Sequence, residues 1–465
     1  MRAGRNPFPS AVLHPDGRCA LATPGARRAT RHRPYDIPGY PVVVLLPAWD
    51  AGGAPVRTVL DHLDRPHLLV RGYPEVKAVL ADPKTYRPDN ALDALSPIPV
   101  PALRILTRYG FRLPPTLANN GGLSHPAIRA AVARALHPDR VEEQRPWLTG
   151  VVARRIAGLS ARLRSGAAVD LYADLAADLP LLVLARLVEL PDTQATVVKE
   201  FSRAALELFW APLSADRHEH LTEVVGRYHR ILRDFTDHAG GLAGDLRALA
   251  RAEGLPADVP VAALFFLLVA GQETTSQFLT LLLHRLAGEP AVIRGLCAGT
   301  VAVDAVVEEG LRLVPPIVTW RRVAARDTTL AGVDVPAGRS VVLWLAQAGR
   351  DGALTGSPHE FRPGQPGSRR HLAFGAGAHR CLGAQLSRME AAVVVGHTAP
   401  LLRHVDVVRP PRYPDNLSFR MPDTFVVRAR SARAAGTCRP ATAAADPVPR
   451  PAAAARDRLA RTAAG

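Results

Sequence analysis

Apolar residues recur at three- and four-residue spacing through most of the stretch from Ala127 to Gly310, the repeat of an amphipathic or buried helix. The pattern predicts a nearly continuous series of helices, broken at Pro180, Pro191, Gly240–Gly241, Gly254–Pro256 and Pro290. Ten consecutive apolar residues, Val261 to Ala270, stand inside it and are followed by Gly-Gln-Glu-Thr-Thr. That run is about half of what a bilayer crossing needs, so it predicts a buried core helix. Before this region, Val56–Leu60 alternates and His67–Val70 is a short apolar run, so both predict strands. Tyr73 to Leu80 predicts a short amphipathic helix. Residues 89–122, rich in Pro, Gly and Asn, predict a long irregular loop of the kind that forms lids. Strands are expected again at Thr328–Val335 and Ser340–Leu345, and a glycine-rich loop at 374–383 opens a last helix ending near residue 398. The fold class expected is mainly α with minor β.

Charge changes the picture only at the two ends. The chain has 465 residues and a formal net charge of +16. Residues 1–40 carry seven Arg against Asp16 and Asp36, and residues 431–465 carry six Arg against Asp446 and Asp457. More than half of the excess therefore sits in two Pro-, Ala- and Arg-rich ends without periodicity, expected to be disordered basic segments at 1–40 and 429–465. Residues 41–428 are expected to form one catalytic domain. No basic stripe interleaved with aromatics marks a nucleic-acid surface, and no span marks a membrane protein. A basic nucleic-acid or membrane binder acting through its tails is the non-enzymatic alternative. Cys19, Cys297, Cys381 and Cys438 lie far apart, none in a C-x-x-C pair, which argues against a disulfide framework or a zinc site. With no apolar run near the N-terminus that resembles a signal peptide, a cytoplasmic protein is expected.

The chemistry concentrates around one cysteine. In Phe374-Gly375-Ala376-Gly377-Ala378-His379-Arg380-Cys381-Leu382-Gly383, three glycines surround Cys381 just ahead of a helix. Glycine lets a backbone approach a flat object closely. A cysteine at a helix N-terminus has its thiolate stabilised by the helix dipole and by free N–H groups. Upstream stand Glu309-Gly310-Leu311-Arg312, whose acid and base share a helix face, and then Thr319-Trp320-Arg321-Arg322. Ala270-Gly271-Gln272-Glu273-Thr274-Thr275 closes the apolar run with an alcohol beside a carboxyl, a pairing suited to proton delivery. His125-Pro-Ala-Ile-Arg129 opens a helix with two basic side chains on one face.

These segments, in this order, resemble the cytochrome P450 monooxygenases of the bacterial soluble type, over about residues 50–428. The resemblance implies the triangular, mainly helical fold of that family. Haem b would lie between the long central helix and the helix after the Cys loop. Cys381 would be the iron ligand, and Phe374, Gly375, His379 and Gly383 would shape its loop. Propionate contacts would come from His125, Arg129, His371 and Arg322, with Arg321 the competitor for the last. Glu309 and Arg312 would be a buried structural pair. Thr274 would handle oxygen and protons, with Glu273 in the relay and Gly271 leaving room for oxygen. The pocket would draw on the 89–122 loop, Phe265, Phe266, Ala270, Ile317, Val318, Thr319 and the turn at Met421-Pro422.

The resemblance further implies dioxygen activation with two electrons and oxidation of a small, largely apolar substrate, by hydroxylation or epoxidation. Natural-product biosynthesis is the expected setting, with the substrate free or attached to a carrier protein. No flavin or nicotinamide fingerprint is present, so a separate ferredoxin and ferredoxin reductase are expected, docking on a basic face with Arg134, Arg380 and Arg388. The alternative is a haem-thiolate enzyme that inserts no oxygen: a dehydratase, coupling catalyst or peroxide user. Two departures from the family pattern stand out. Gly121-Gly-Leu-Ser replaces the acidic-Pro-Pro run before His125, with Ala127 where a basic residue is usual. Gly349 replaces the Asn of Ala-Asn-Arg-Asp.

Overall fold

The computed structural model describes residues 56–59, 67–191, 195–414 and 416–430. The expectations for residues 1–40 and for a domain start at residue 41 lie outside the described residues, as does the tail expected at 429–465 except for Ala429, which ends a strand, and Arg430.

Among the described residues the strands are β1 (Val56–Val59), β2 (His67–Val70), β3 (Tyr86–Arg87), β4 (Val169–Asp170), β5 (Trp320–Ala324), β6 (Thr328–Leu330), β7 (Val333–Val335), β8 (Ser340–Leu343), β9 (Val405–Arg409) and β10 (Val426–Ala429). The helices begin with α1 (Tyr73–Ala81), α2 (Val100–Arg108), α3 (His125–Ala135), α4 (Pro138–Glu142), α5 (Arg145–Arg164), α6 (Leu179–Val188) and α7 (Ala195–Trp210). They continue with α8 (Ala215–His238), α9 (Gly241–Ala252), α10 (Val259–Ala287), α11 (Pro290–Cys297), α12 (Val303–Leu313), α13 (Leu345–Ala348) and α14 (Ala384–Leu402). The class is mainly α with minor β, as the periodicity predicts.

The apolar run becomes α10, 29 residues long. It is long and apolar enough to cross a membrane, yet 78% of its most apolar window is buried by protein. It packs against α6, α7, α8, α9 and α14, and so forms the core that other helices surround. Close approach is achieved with glycine. A Cβ on Gly271 would stand 2.8 Å from Leu184 Cδ2 on α6, and one on Gly310 would stand 2.6 Å from Leu282 Cδ1 on α10. Gly271 thus serves helix packing, besides the room for oxygen expected of it. The main sheet has the order β1-β2-β8-β5-β3, antiparallel except for the β2–β8 pair. β4, β10 and β9 form a second sheet, and β6–β7 a hairpin.

Several elements differ from the sequence reading. The expected loop at 89–122 contains α2, with Pro101 in its first turn, where a missing N–H costs nothing. The breaks expected at Pro180 and Pro290 fall where α6 and α11 begin, each proline sitting in its helix's first turn. The helical stretch is interrupted by β4 and a single π turn at Tyr172–Ala176, and α12 runs on to Leu313. The expected strand Thr328–Val335 is a hairpin, turned by Ala331 and Gly332 at φ 49° and 78°. Strands β3, β5, β9 and β10 stand where the sequence pattern predicts none.

The Glu309–Arg312 pair is fully buried. Arg312 donates to both carboxylate oxygens at 2.7 and 2.9 Å, and to the carbonyls of Gly349, Pro358 and Glu360 at 2.8, 2.7 and 2.8 Å. Glu309 also accepts from the Arg362 N–H and from Gln365 Nε2. One ion pair thereby fastens segment 349–365 to α12. The same contact accounts for Gly349: a Cβ there would lie 2.2 Å from the Arg312 carbonyl oxygen. Glu309→Ala leaves a buried guanidinium without its counter-charge and is expected to cost about 3–5 kcal/mol. A lowered urea midpoint measures it, and an unchanged midpoint would refute a supporting role.

Candidate active site

The Cys loop runs from Phe374 through a 3-10 turn at Gly377–His379 to Gly383, which caps α14. Gly375 and Gly377 have φ of 65° and 68°. A Cβ on Gly377 would stand 2.5 Å from the Leu80 carbonyl oxygen, so the loop presses on the end of α1. The Cys381 N–H donates to the Phe374 carbonyl at 2.8 Å, closing the loop on itself. Cys381 opens onto a cavity that α10 also lines. The protein around it is dense enough that burial is the largest influence and pushes the thiol up. The Gly383 N–H and the charges of Arg129, Arg380 and Arg388 oppose that shift.

Three basic side chains, Arg129 from α3, Arg322 from β5 and His379, share the cavity wall with the cysteine. Arg129 donates to the Arg380 carbonyl at 2.6 Å and Arg322 to the Arg321 carbonyl at 2.8 Å. Among the described residues no carboxylate pairs with either guanidinium. Burial pushes Arg322 down to about 10. Arg321 points elsewhere, donating to the Asp93 carbonyl at 2.6 Å, which decides between the two arginines. His379 donates through Nε2 to the Asn120 carbonyl at 3.0 Å. A flat group with carboxylates at one edge, held by sulfur, fits this donor set: an open thiol, two guanidiniums lacking counter-charges, and apolar side chains elsewhere.

Two residues expected at the propionates do not line the cavity. His371 is buried. Its Nε2 meets Glu308 Oε2 at 3.2 Å and its Nδ1 accepts from the Ala373 N–H at 3.2 Å, so both ring nitrogens are engaged by protein. His125 does not line the cavity. Its ring stacks on His379 at 4.2 Å, and burial, with the charges of His379 and Arg129, pushes it down to about 4, neutral at physiological pH.

Phe266, Ala270, Gly271, Thr274 and Thr275 of α10 line the same cavity, as does Ile317. Thr274 Oγ1 donates to the Ala270 carbonyl at 2.6 Å, and the helix continues unbroken through this turn. Glu273 is not at its side. The carboxylate is fully buried on another face of α10, at 2.5 Å from Lys199 Nζ and accepting from Gln272 Nε2 at 2.9 Å. The acid and the alcohol that adjoin in sequence therefore form no side-chain pair. Phe265, Val318 and Met421 also lie off the cavity wall. Phe265 packs edge-on to Phe111 and Phe201, Val318 packs with Leu69 and Val342 beside the sheet, and Met421 Sδ meets Asn416. The wall contains instead Trp210, Trp320 and Phe419, which sequence reading did not assign. Only their aromatic character near motif-bearing segments offered a signal.

A family model for cytochrome P450 matches residues 301–430, which hold the buried ion pair and the Cys loop. A 20-oxo-5-O-mycaminosyltylactone 23-monooxygenase from Streptomyces fradiae is 31% identical over 349 residues, 74% of this chain and 78% of that protein. The chain belongs to the cytochrome P450 family. The P450 monooxygenase DoxA of Streptomyces sp. strain C5 is 30% identical over 69% of this chain and 78% of its own length. Among solved structures, cytochrome P450 CREJ in complex with (4-ethylphenyl) dihydrogen phosphate superposes with a TM-score of 0.73 at 28% identity, covering 78% of this chain and 92% of that one. The Acinetobacter radioresistens CYP116B5 heme domain gives 0.74 at 25% identity, over 81% and 92%. The chain is thus a P450 monooxygenase, and membership in the family implies a haem cofactor and redox partners.

Of the arginines expected on this P450's docking face, Arg388 is engaged elsewhere. Its Nε meets Glu308 Oε1 at 2.5 Å, and its guanidinium lies over the Phe374 ring at 4.6 Å. Glu308 thus ties His371, Arg388 and the start of the Cys loop together. Burial pushes its carboxyl up, but hydrogen bonds from His371 and Arg388 with the Arg388 charge outweigh that and hold it at about 2. A depressed folded-state value means its stabilisation is complete above the ordinary value of 4.5 and is lost as pH falls toward 2. Thermal unfolding is expected to show a steeper acid loss for the native chain than for Glu308→Gln over this range. Parallel pH profiles would refute the contribution.

Proposed function

We propose that this P450 binds haem b through Cys381 and hydroxylates or epoxidises a small, largely apolar molecule of bacterial natural-product biosynthesis, free or on a carrier protein, in the cytoplasm. The observation that carries this reading is one largely apolar cavity lined by both Cys381 and Thr274. Haem bound there supplies the redox centre at which dioxygen is reduced and one oxygen atom passes to the substrate. Arg129, Arg322 and His379 orient its carboxylates. Phe266, Ala270 and Ile317 exclude water and hold the substrate. Thr274 Oγ1 holds a proton at the reacting side and would turn its hydrogen bond from the Ala270 carbonyl into the cavity. Glu273, through Lys199, joins that helix turn to the surface, since the Lys199 side chain is 22% exposed. Electrons come from a ferredoxin and its reductase, with Arg134 and Arg380 on the docking face. The tylactone-derivative and DoxA relatives support a natural-product role.

The reduced, carbon-monoxide-bound protein is expected to show the red-shifted band of thiolate-ligated haem, and Cys381→Ala to lose it. A colourless native protein would end the reading. Labelled dioxygen is expected to leave label in the product, and unlabelled product would favour dehydration, coupling or peroxide use. Thr274→Ala is expected to keep the carbon-monoxide band while product per electron consumed drops by about a hundredfold, the usual size of a lost acid–base contribution. Undiminished coupling would remove Thr274 from proton handling.

A further inference from the structure

Three aromatic rings from separate parts of the chain meet at one end of the cavity. Trp210 ends α7, Trp320 begins β5, and Phe419 is bridged to Ile317 by an isolated β contact. The Trp210 and Trp320 rings are near parallel, 27° apart with centroids 6.0 Å apart. Phe419 stands edge-on to both, at 68° and 4.8 Å from Trp210 and 81° and 6.2 Å from Trp320. Backbone hydrogen bonds fix this corner: Leu417 N–H to the Trp210 carbonyl at 2.8 Å, and Val318 N–H to the Ser418 carbonyl at 2.8 Å. These bonds fix the backbone from which the rings project.

The charges of the wall belong to Arg129, Arg322, His379, Arg380 and Cys381. Arg322 follows Trp320 by two residues on β5, and its charge reaches His379 in the Cys loop, where a cofactor carboxylate would take it. On α10 the polar groups of the wall are Thr274 and Thr275, and the Thr274 proton is already donated to Ala270. Once the wall's cations are taken by the cofactor's carboxylates, a charged substituent entering the aromatic corner would be stripped of water with no free counter-charge. A saturated ring would fill space there, whereas a planar π-system also gains the edge-to-face and offset contacts that aromatic rings prefer.

We propose that the Trp210–Trp320–Phe419 corner selects an uncharged, planar aromatic ring as the part of the substrate that anchors it beneath α10. The inference rests on the monooxygenase reading of this cavity and narrows it to an aromatic substrate class. It commits the corner to recognition as well as packing.

The test uses the haem-loaded full chain and equilibrium dialysis with three probes: 2-naphthol, its fully saturated counterpart decahydro-2-naphthol, and 2-naphthoate. The two alcohols share a carbon skeleton and a hydroxyl and differ in planarity and π-character. Naphthol is expected to bind about fivefold or more tightly than the saturated alcohol, the size of one or two aromatic contacts. Naphthoate is expected to bind weakest. Trp320→Leu and Phe419→Leu, made separately and each checked by the carbon-monoxide band, are expected to bring the ratio of the two alcohols close to one. Equal binding of the alcohols, a ratio unchanged in both variants, or naphthoate binding as well as naphthol would overturn the proposal. If the native band is intact, any of these results removes only the aromatic inference. If the native chain shows no band, the reading of the cavity as a haem site falls with it.

Discussion

The buried contact between Glu309 and Arg312 is the constraint from which the rest of the site takes its position. A carboxylate and a guanidinium with zero exposure are costly to bury. The cost is offset only because nearly every polar atom finds a partner, and those partners lie in segment 349–365. That segment leads directly into the Cys loop. The approach is close enough that residue 349 has no room for a side chain beside the Arg312 carbonyl. The departure from the family's Asn is thus a consequence of how tightly the segment is drawn against α12 in this chain.

The neighbouring residue repeats the device toward the other side. Glu308 reaches His371 and Arg388, and Arg388 in turn covers the Phe374 ring. Two consecutive glutamates on α12 therefore hold the chain before the Cys loop and the helix after it. Held from both ends, the loop leaves Cys381 little freedom. The Phe374 carbonyl takes its N–H, and Gly377 rests on the Leu80 carbonyl. The position of the sulfur is fixed by hydrogen bonds two layers away from it.

What was legible in the sequence was whatever is local. The Cys loop is ten contiguous residues whose glycines announce its geometry, and the Glu309–Arg312 pair lies one helical turn apart. The apolar run announced α10 as the core. Contacts made across the chain were not legible. Arg388 reads as a surface cation until Glu308, 80 residues away in sequence, is placed beside it, and His371 reads as a cofactor contact until the same glutamate takes its Nε2. Phe265 and Phe266 are indistinguishable by composition, yet helix register turns only the second toward the cavity. Trp210 and Phe419 were missed because neither belongs to a motif, and their meeting depends on where Leu417 binds the end of α7. The helix α2 was hidden because a proline in a helix's first turn, such as Pro101, and a proline in a loop look alike in one dimension.

Glu273 and Thr274 show why sequence adjacency is a poor guide to chemical adjacency on a helix. Consecutive residues project about 100° apart. With Thr274 on the cavity wall, a side chain at 273 must leave it, and α10 remains regular through this turn, so no distortion brings the two together. The carboxylate is then fully buried against α7, where a charge without a partner would be prohibitive, and Lys199 supplies the partner. Lys199 also touches Gln272 Oε1 and Ser276 Oγ, and its ammonium lies 5.8 Å from the Tyr172 ring. Its side chain is partly exposed while Glu273 is not. Thus the charged network meets solvent on the α7 side of α10, and the cavity side stays apolar. A helix that places its acid outward and its alcohol inward keeps a charge close to the reaction space without placing it in the substrate's path.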